Sequence, residues 1–141
     1  MSEYRKPLPR PTPETAPFWE GTLAGELRLQ RCLDCRHVYF YPRPFCPKCH
    51  SRSVEWFKAS GRGRLHTYQI VHRAAMGFEQ DAPYVLAVVE LEEGPRMMTN
   101  IVGVEPKPEN LPLDMPVEVT FDRVTENVAL PKFRPAQGGV K

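Results

Sequence analysis

Four cysteines in two close pairs constrain this sequence more than any other feature. The pairs are Cys32-Leu-Asp-Cys35 and Cys46-Pro-Lys-Cys49; ten residues separate them, and the chain contains no other cysteine. Two Cys-x2-Cys turns bring four thiolates to one tetrahedral metal ion. The alternative is two disulfides in a secreted protein, which is weaker because nothing at the N-terminus resembles a signal peptide. The spacing therefore predicts a metal-bound ribbon.

The residue types around the cysteines favour a structural zinc ion. An all-thiolate shell suits zinc or a single iron, but iron carriers of this kind usually have glycine after the second cysteine of each pair, where φ is positive. Arg36 and His50 occupy those positions and tolerate that conformation less easily. Because four cysteines leave no open coordination position, we expect one structural zinc, with His37 and His50 solvated or donating to a sulfur.

Composition describes an ordinary globular chain. Of 141 residues, 41% are hydrophobic and 26% charged, and the net charge of +2 gives no argument by itself for a nucleic-acid partner. No apolar run approaches the length of a membrane span. Thiolate ligands and the lack of a recognisable targeting signal lead us to expect a cytoplasmic protein.

Residues 1–26 are predicted to form an extended arm followed by a short helix. Prolines at alternate positions from Pro7 to Pro13 are incompatible with a helix. Thr15 is the candidate N-cap and Gly25 the candidate C-terminal stop. The arm is either a loose tail or a segment that orders against a partner. The helix carries two large aromatic side chains, which pack on the ribbon or on another chain.

Residues 27–58 are predicted to form a rubredoxin-like zinc ribbon, and residues 59–141 an OB-fold domain. Four ribbon aromatics are expected to cover the metal and join the ribbon to the rest: Tyr39, Tyr41, Phe45 and Trp56. Beyond the ribbon, alternating apolar and polar residues predict five strands, at 64–73, 84–91, 96–104, 117–124 and 128–134. A slip in the apolar alternation after Leu65 indicates a β-bulge.

Five short strands with a bent first strand are typical of an OB-fold barrel. No helix pattern occurs between the third and fourth strands, so the barrel should be a reduced one. The predicted fold is therefore mainly β: an arm and short helix, a zinc ribbon, then a five-stranded OB-fold barrel.

The sequence resembles the acyl-CoA-associated zinc-ribbon/OB-fold proteins over nearly its whole length. The matching blocks, in order, are Phe18-Trp19-Glu20-Gly21, Leu29-Gln30-Arg31-Cys32, Pro42-Arg43-Pro44, Cys46-Pro47-x-Cys49, Gly61-Arg62-Gly63, Val71-His72-Arg73, Gly94-Pro95-Arg96, Thr99-Asn100 and Leu130-Pro131-Lys132-Phe133-Arg134-Pro135. The resemblance implies a non-catalytic companion of a thiolase-fold enzyme, or sometimes of a hydratase, that helps shape an acyl-CoA channel. Arg36 and His50 depart from it, since the family often has glycine there.

The residues themselves indicate no independent catalysis. Thiolase chemistry requires a nucleophilic cysteine, and every cysteine here is assigned to the metal. His66 and His72 are predicted to share one face of the first barrel strand if the bulge does not intervene, and strand histidines are more often structural than catalytic. No paired carboxylates or phosphate-binding loop is visible.

Binding of a coenzyme A thioester, or of the partner, is a more plausible role for several residues. Arginine, lysine and histidine can match the phosphates of coenzyme A. The candidates, placed at strand ends, are His72, Arg73, Lys132, Phe133 and Arg134. A solvated basic face or an inter-subunit salt bridge is an equal alternative.

Two other function classes stay open at this point. Nucleic-acid binding is the main alternative, because zinc ribbons and OB barrels occur in such proteins and Lys58, Arg62 and Arg64 form a small basic cluster. Acidic residues nearly cancel the basic ones, which weighs against it. Electron transfer through a thiolate-bound iron would give a red protein.

Overall fold

One helix and eight strands form the regular structure of the described part of the chain. The computed structural model describes residues 8–74 and 76–136. The elements are α1 (Ala16–Leu23), β1 (Arg28–Cys32), β2 (Val38–Tyr39), β3 (Val54–Lys58), β4 (Arg62–Val71), β5 (Tyr84–Leu91), β6 (Arg96–Ile101), a 3-10 turn (Pro108–Asn110), β7 (Pro116–Thr125) and β8 (Val128–Pro135). None of the helical residues described forms a segment long and apolar enough to cross a lipid bilayer. The predicted mainly β fold is confirmed.

The ribbon is a small antiparallel sheet in the order β2-β1-β3. Gln30 in the central strand faces Tyr39 on one side and Trp56 on the other. Its buried side chain accepts a 2.7 Å hydrogen bond from the backbone N–H of Arg43. This bond fixes the chain between the two cysteine pairs against the sheet, because an unpaired buried amide would be costly. The central strand β1 ends at Cys32, where the metal site begins.

The second half of the chain is a closed barrel in the order β4-β5-β6-β8-β7, which returns to β4. All neighbouring strands are antiparallel except β6 and β8, whose single parallel pair joins Ile101 to Phe133. Gly63 pairs with Val117 where β4 meets β7 and closes the barrel. This is the five-stranded OB-fold that the sequence predicts.

Strand boundaries agree with the sequence in part. The strand at 84–91 is confirmed to the residue, and the predicted bulge lies between Leu65 and Thr67. The first barrel strand is Arg62–Val71 rather than 64–73, since its pairing with β5 ends at Tyr84, directly after Pro83. The third strand ends at Ile101 instead of 104, where the chain turns with a positive φ at the glycine two residues further on.

The helix ends where the sequence predicts, but its N-terminus lacks the expected side-chain hydrogen bond. Gly25 has φ of +80°, and its N–H donates to the carbonyl of Thr22 while that of Glu26 donates to Gly21, the Schellman arrangement. Thr15 occupies the N-cap position, yet its side chain makes no capping bond. Its hydroxyl instead accepts from the backbone N–H of Thr12 at 2.8 Å. Thr15 is therefore the N-cap residue that the sequence predicts, but it holds this position without a side-chain capping bond.

The helix joins the ribbon to the barrel. Phe18 is 1% exposed and Trp19 is 8% exposed, so both helical aromatics are covered within the chain. The helix packs against β1 of the ribbon and against β7 and β8 of the barrel. Of the two possibilities left by the sequence, packing within the chain is the one observed. Residues 1–7 of the predicted arm lie outside the described residues.

Candidate metal centre and binding surfaces

The four cysteines meet at one point. Their Sγ atoms all lie within 4.8 Å of one another, with 3.5 Å between Cys32 and Cys49 and 3.6 Å between Cys35 and Cys46. Sulfurs around a tetrahedral zinc with bonds of about 2.3 Å would be about 3.8 Å apart. The residues are therefore positioned to hold one zinc ion in an all-thiolate site.

Backbone N–H groups donate hydrogen bonds to two of the four sulfurs and stabilise their thiolate forms. The N–H of Cys35 donates to Sγ of Cys32 at 3.4 Å, and those of Lys48 and Cys49 donate to Sγ of Cys46 at 3.3 and 3.4 Å. The bond from Cys35 is the main reason that the pKa of Cys32 falls to about 7. Burial opposes ionisation of Cys46, but the two N–H bonds prevail and its pKa is also lowered.

The pKa of Cys49 shifts in the opposite direction. A backbone hydrogen bond from Ser51 favours the thiolate of Cys49, but hydrogen bonds shared with Cys32 and the other thiols, together with burial, raise its pKa to about 12. Four clustered thiols cannot all ionise without a counter-charge. A divalent ion supplies that charge, so the cluster has the electrostatics of a metal site.

The residues after each pair adopt the left-handed conformation although neither is glycine. Arg36 has φ of +68° and His50 has φ of +67°. Their N–H groups donate to the carbonyls of Cys32 and Cys46 at 3.0 and 2.9 Å, which closes each turn around the metal position. The expectation that these residues resist this conformation is therefore wrong, and the conformation does not separate zinc from iron.

The histidines and aromatics near the site have mixed roles. His37 stacks on Tyr39 and His50 lies beside Phe45, with ring centroids 6.0 and 6.1 Å apart. Neither histidine ring has a hydrogen bond to a sulfur within the described residues. Tyr39 is buried, but Phe45 is 37% exposed and Tyr41 is 43% exposed. The two exposed rings therefore do not fulfil the predicted covering role.

The predicted ligand-binding residues are not brought together in one constellation. His72 and Arg73 follow the end of β4 in a bend and are exposed, so His72 does not lie on the strand with His66. Lys132 and Arg134 lie within β8 rather than at its ends. Phe133 between them has no exposed surface and belongs to the barrel core.

Both basic residues of β8 already have acidic partners. Nζ of Lys132 lies 2.8 Å from the carboxylate of Asp122, and Nε of Arg134 lies 2.9 Å from that of Glu118. The Lys132 side chain is only 19% exposed, whereas that of Arg134 is 46% exposed. Lys132 is therefore the more enclosed of the two cations.

Lys132 lines an open cleft of about 400 Å³ at one end of the barrel. Polar and apolar surface contribute about equally to the lining, with Asn100, Asp81 and Asp122 as further polar groups. The apolar lining residues are Phe78, Pro83, Tyr84, Val85, Ile101, Val102, Val104 and Pro106. Spacing along the chain could not reveal this cleft, because it combines residues from four separate segments. A slot with apolar residues, one enclosed ammonium group and two carboxylates suits an elongated ligand with polar ends.

A second cleft of about 770 Å³ lies where β4 meets β5 and β7. Arg62 and Arg64, two members of the predicted basic cluster, line it together with Glu90, Glu92 and Glu118. Because acidic groups outnumber basic ones here, the cluster does not form a positive track for a phosphate backbone.

The outer face of the barrel gives a further argument about nucleic acid. OB-folds bind oligonucleotides on the second and third strands, with stacking aromatics among cations. In this chain those strands are β5 and β6, where Val88 pairs with Met98 and Leu86 pairs with Asn100. These four side chains are aliphatic or neutral, and Met98 is 66% exposed. Tyr84 and Arg96 are the one aromatic and the one cation on the outward side of these two strands, fewer than the binding of a single strand requires.

The fold and the thiol cluster define the class as a zinc ribbon joined to an OB-fold. Family models agree: residues 19–55 match the ChsH2 rubredoxin-like zinc ribbon domain, and residues 56–122 match the ChsH2 C-terminal OB-fold domain. The chain therefore belongs to the ChsH2 family, which also includes proteins named DUF35 domain-containing scaffold proteins.

Three relatives illustrate the family. A DUF35 domain-containing scaffold protein of Methanocaldococcus jannaschii is 46% identical over 98 residues, 69% of this chain and 68% of that protein. A protein of Thermomonospora curvata named "Probable enoyl-CoA hydratase alpha subunit" is 35% identical over 132 residues, 93% of this chain but 40% of that protein. A chain from the structure named Ltp2-ChsH2(DUF35) aldolase superposes with a TM-score of 0.77 at 34% identity, over 91% of this chain and 98% of that one.

Proposed function

We propose that this chain is a non-catalytic zinc-binding subunit that docks on a thiolase-fold enzyme and helps form its acyl-CoA channel. The observation that carries the proposal is the match to the Ltp2-ChsH2(DUF35) chain, which extends over almost all of both proteins. The name of that assembly joins ChsH2 to a second component, Ltp2, in one aldolase. The scaffold naming of the relative from Methanocaldococcus jannaschii supports a companion role as well.

The chemistry of the chain supports a role without catalysis. Cleavage of a β-ketoacyl-CoA by free coenzyme A needs a cysteine that is free to attack the ketone carbonyl. All four cysteines of this chain cluster within 4.8 Å and are committed to one structural zinc in our proposal. The nucleophile therefore comes from the partner, and this chain supplies shape and binding groups.

For the acyl-CoA itself, the cleft at Lys132 is the best candidate contact. Its apolar residues suit the pantetheine arm, and its single ammonium group suits a carbonyl oxygen; a phosphate fits less well, because Asp81 and Asp122 also line the cleft. His72 and Arg73 are exposed and free to contact phosphate, whereas Arg134 pairs with Glu118 and, unlike Lys132, does not line the cleft. We therefore retain Lys132, His72 and Arg73 and assign Phe133 to the core.

Co-expression with thiolase-fold subunits from the same genome tests the proposal. We expect a stable complex that converts a β-ketoacyl-CoA and free coenzyme A into two shortened acyl-CoA thioesters. The isolated chain should show no such activity. Thiolysis by this chain alone, or failure to bind every thiolase-fold subunit offered, would refute the assignment.

A hydratase companion is the second candidate, and one observation favours it. The relative from Thermomonospora curvata is named as an enoyl-CoA hydratase alpha subunit, although this chain matches only 40% of its length. Co-expression with hydratase subunits, beside the thiolase-fold subunits, distinguishes the two candidates. Hydration of an enoyl-CoA without thiolysis of a β-ketoacyl-CoA would select the hydratase role.

A further inference from the structure

Among the exposed residues close to the four cysteines in the sequence, five define what we call the knuckle surface: Leu33, Arg36, Phe45, Lys48 and Arg52. Each of them lies within three positions of a cysteine in the sequence. Because the four Sγ atoms lie within 4.8 Å of one another, the two turns that carry these side chains meet at the metal site.

Two members of the knuckle surface are apolar and poorly covered. Leu33 is 49% exposed and Phe45 is 37% exposed. A single exposed leucine is ordinary in a monomer. Here a leucine and a phenylalanine are exposed on two turns that meet at a single metal site, so this part of the surface carries two large apolar side chains.

The other three members are cations without ion pairs. Arg36, Lys48 and Arg52 take no part in the salt bridges found among the described residues, in contrast to Arg28 and Arg31 of β1. The only acidic residue of the two turns is Asp34, whose carboxylate accepts a hydrogen bond from the Ser51 hydroxyl. These cations are therefore available to an acidic partner.

The ribbon and the barrel domain differ in net charge. Residues 27–58 contain seven basic and two acidic residues, whereas residues 59–136 contain eight basic and eleven acidic residues. Four thiolates around a zinc ion contribute two negative charges, which leaves the ribbon positive. The excess of basic over acidic residues is therefore concentrated in the ribbon, which carries the knuckle surface.

We infer that the knuckle surface is the docking site for an acidic surface of the catalytic subunit, an inference that rests on the proposed function. A surface that combines exposed apolar side chains with arginines has the composition of a protein interface, where arginine and aromatic residues are enriched. Opposite charge on the partner accelerates encounter and fixes orientation. An RNA strand fits less well, because Phe45 is the single aromatic of this surface and stacking needs several.

The test uses a double charge reversal, Lys48→Glu with Arg52→Glu, in the full-length zinc-loaded chain. The matched control is Lys107→Glu with Arg123→Glu, which makes the same charge change on exposed barrel residues. Zinc content and the unfolding midpoint establish that each variant is folded. Arg52→Glu alone is the second variant, since Arg52 lies outside both Cys-x2-Cys turns and its loss leaves the ligand loops intact.

Binding is measured against the thiolase-fold subunit that the wild-type chain captures on co-expression. We expect the knuckle variant to lose at least ten-fold in affinity at 150 mM salt, and the control to change less than two-fold. Wild-type affinity should fall as salt is raised, because the charges are exposed. Equal affinity of the knuckle variant and the control would overturn this inference while leaving the proposed function standing.

Two further outcomes separate the alternatives. If the wild-type chain captures no thiolase-fold subunit at all, both the proposed function and this inference fail. If instead it binds a 20-nucleotide single-stranded RNA at 150 mM salt and the knuckle variant does not, the same surface serves nucleic acid and the inference is overturned.

Discussion

The ring of Phe18 in the helix lies with its centroid 5.5 Å from that of Phe40 in the ribbon. The same phenylalanine contacts Trp19 at 4.9 Å in an edge-to-face arrangement. Since the helix also packs on β7 and β8, this aromatic cluster links the ribbon with the barrel.

Phe18→Ala should destabilise the protein by about 3–5 kcal/mol, the usual cost of emptying a buried phenylalanine site. Phe18 is 1% exposed, so its replacement by alanine would leave a cavity in the core. Urea unfolding of the zinc-loaded protein measures it. Glu20→Ala, an exposed position of the same helix, is the control and should stay within about 0.5 kcal/mol.

Cys32→Ser should abolish zinc binding and unfold the ribbon. A structural zinc contributes on the order of 10 kcal/mol in small domains, and the three-stranded ribbon sheet has little apolar core of its own. Elemental analysis should find one zinc per wild-type chain and none in the variant. Ser53→Ala serves as control, because Ser53 lies close to the site but is not a metal ligand. Well-folded wild-type protein with no zinc, or with iron in its place, would contradict the assignment.

Local sequence patterns predicted most of the fold because each signal was short-range. The spacing of the cysteines, the stop at Gly25 and the apolar run at 84–91 all depend on neighbouring residues. The cleft around Lys132 could not be predicted, because it depends on how β5, β6 and β8 pair across the barrel. Likewise, the left-handed Arg36 contradicts a local preference that the closed turn overrides.

Gly63→Ala should destabilise the barrel by about 1–3 kcal/mol through steric overlap. A Cβ at this position would lie 2.5 Å from the carbonyl oxygen of Glu90 on the paired strand, a distance that requires backbone movement. The measurement is the midpoint of thermal unfolding. Arg64→Ala tests the neighbouring exposed position of the same strand and should have little effect. Equal midpoints for the two variants would show that the strands separate without cost.

Lys132→Met should change stability by less than about 1 kcal/mol, because its partner Asp122 is 47% exposed and can be solvated when the ammonium is lost. Under the proposed function, the catalytic complex with this variant should show a raised KM for the acyl-CoA. Arg123→Met, an exposed cation of β7 that does not line the cleft, is the matched control. An unchanged KM would remove Lys132 from the binding site.

Tyr39→Phe should preserve stability at alkaline pH. Burial, reinforced by the charges of Cys46 and Cys32, raises the pKa of the Tyr39 phenol to about 12 from its usual value near 10. Between pH 10 and 12 the unfolded chain loses this proton before the folded chain does, so the free energy of unfolding falls as pH rises. The variant lacks that titration.

The substitution should also be harmless below pH 10, because the Tyr39 hydroxyl is buried without a hydrogen-bond partner among the described residues. Urea unfolding of both proteins from pH 8 to 11.5 makes the comparison. Tyr41→Phe removes the same hydroxyl from an exposed ring and is the control. The same loss of stability per pH unit in wild type and Tyr39→Phe would show that another group controls the alkaline limit.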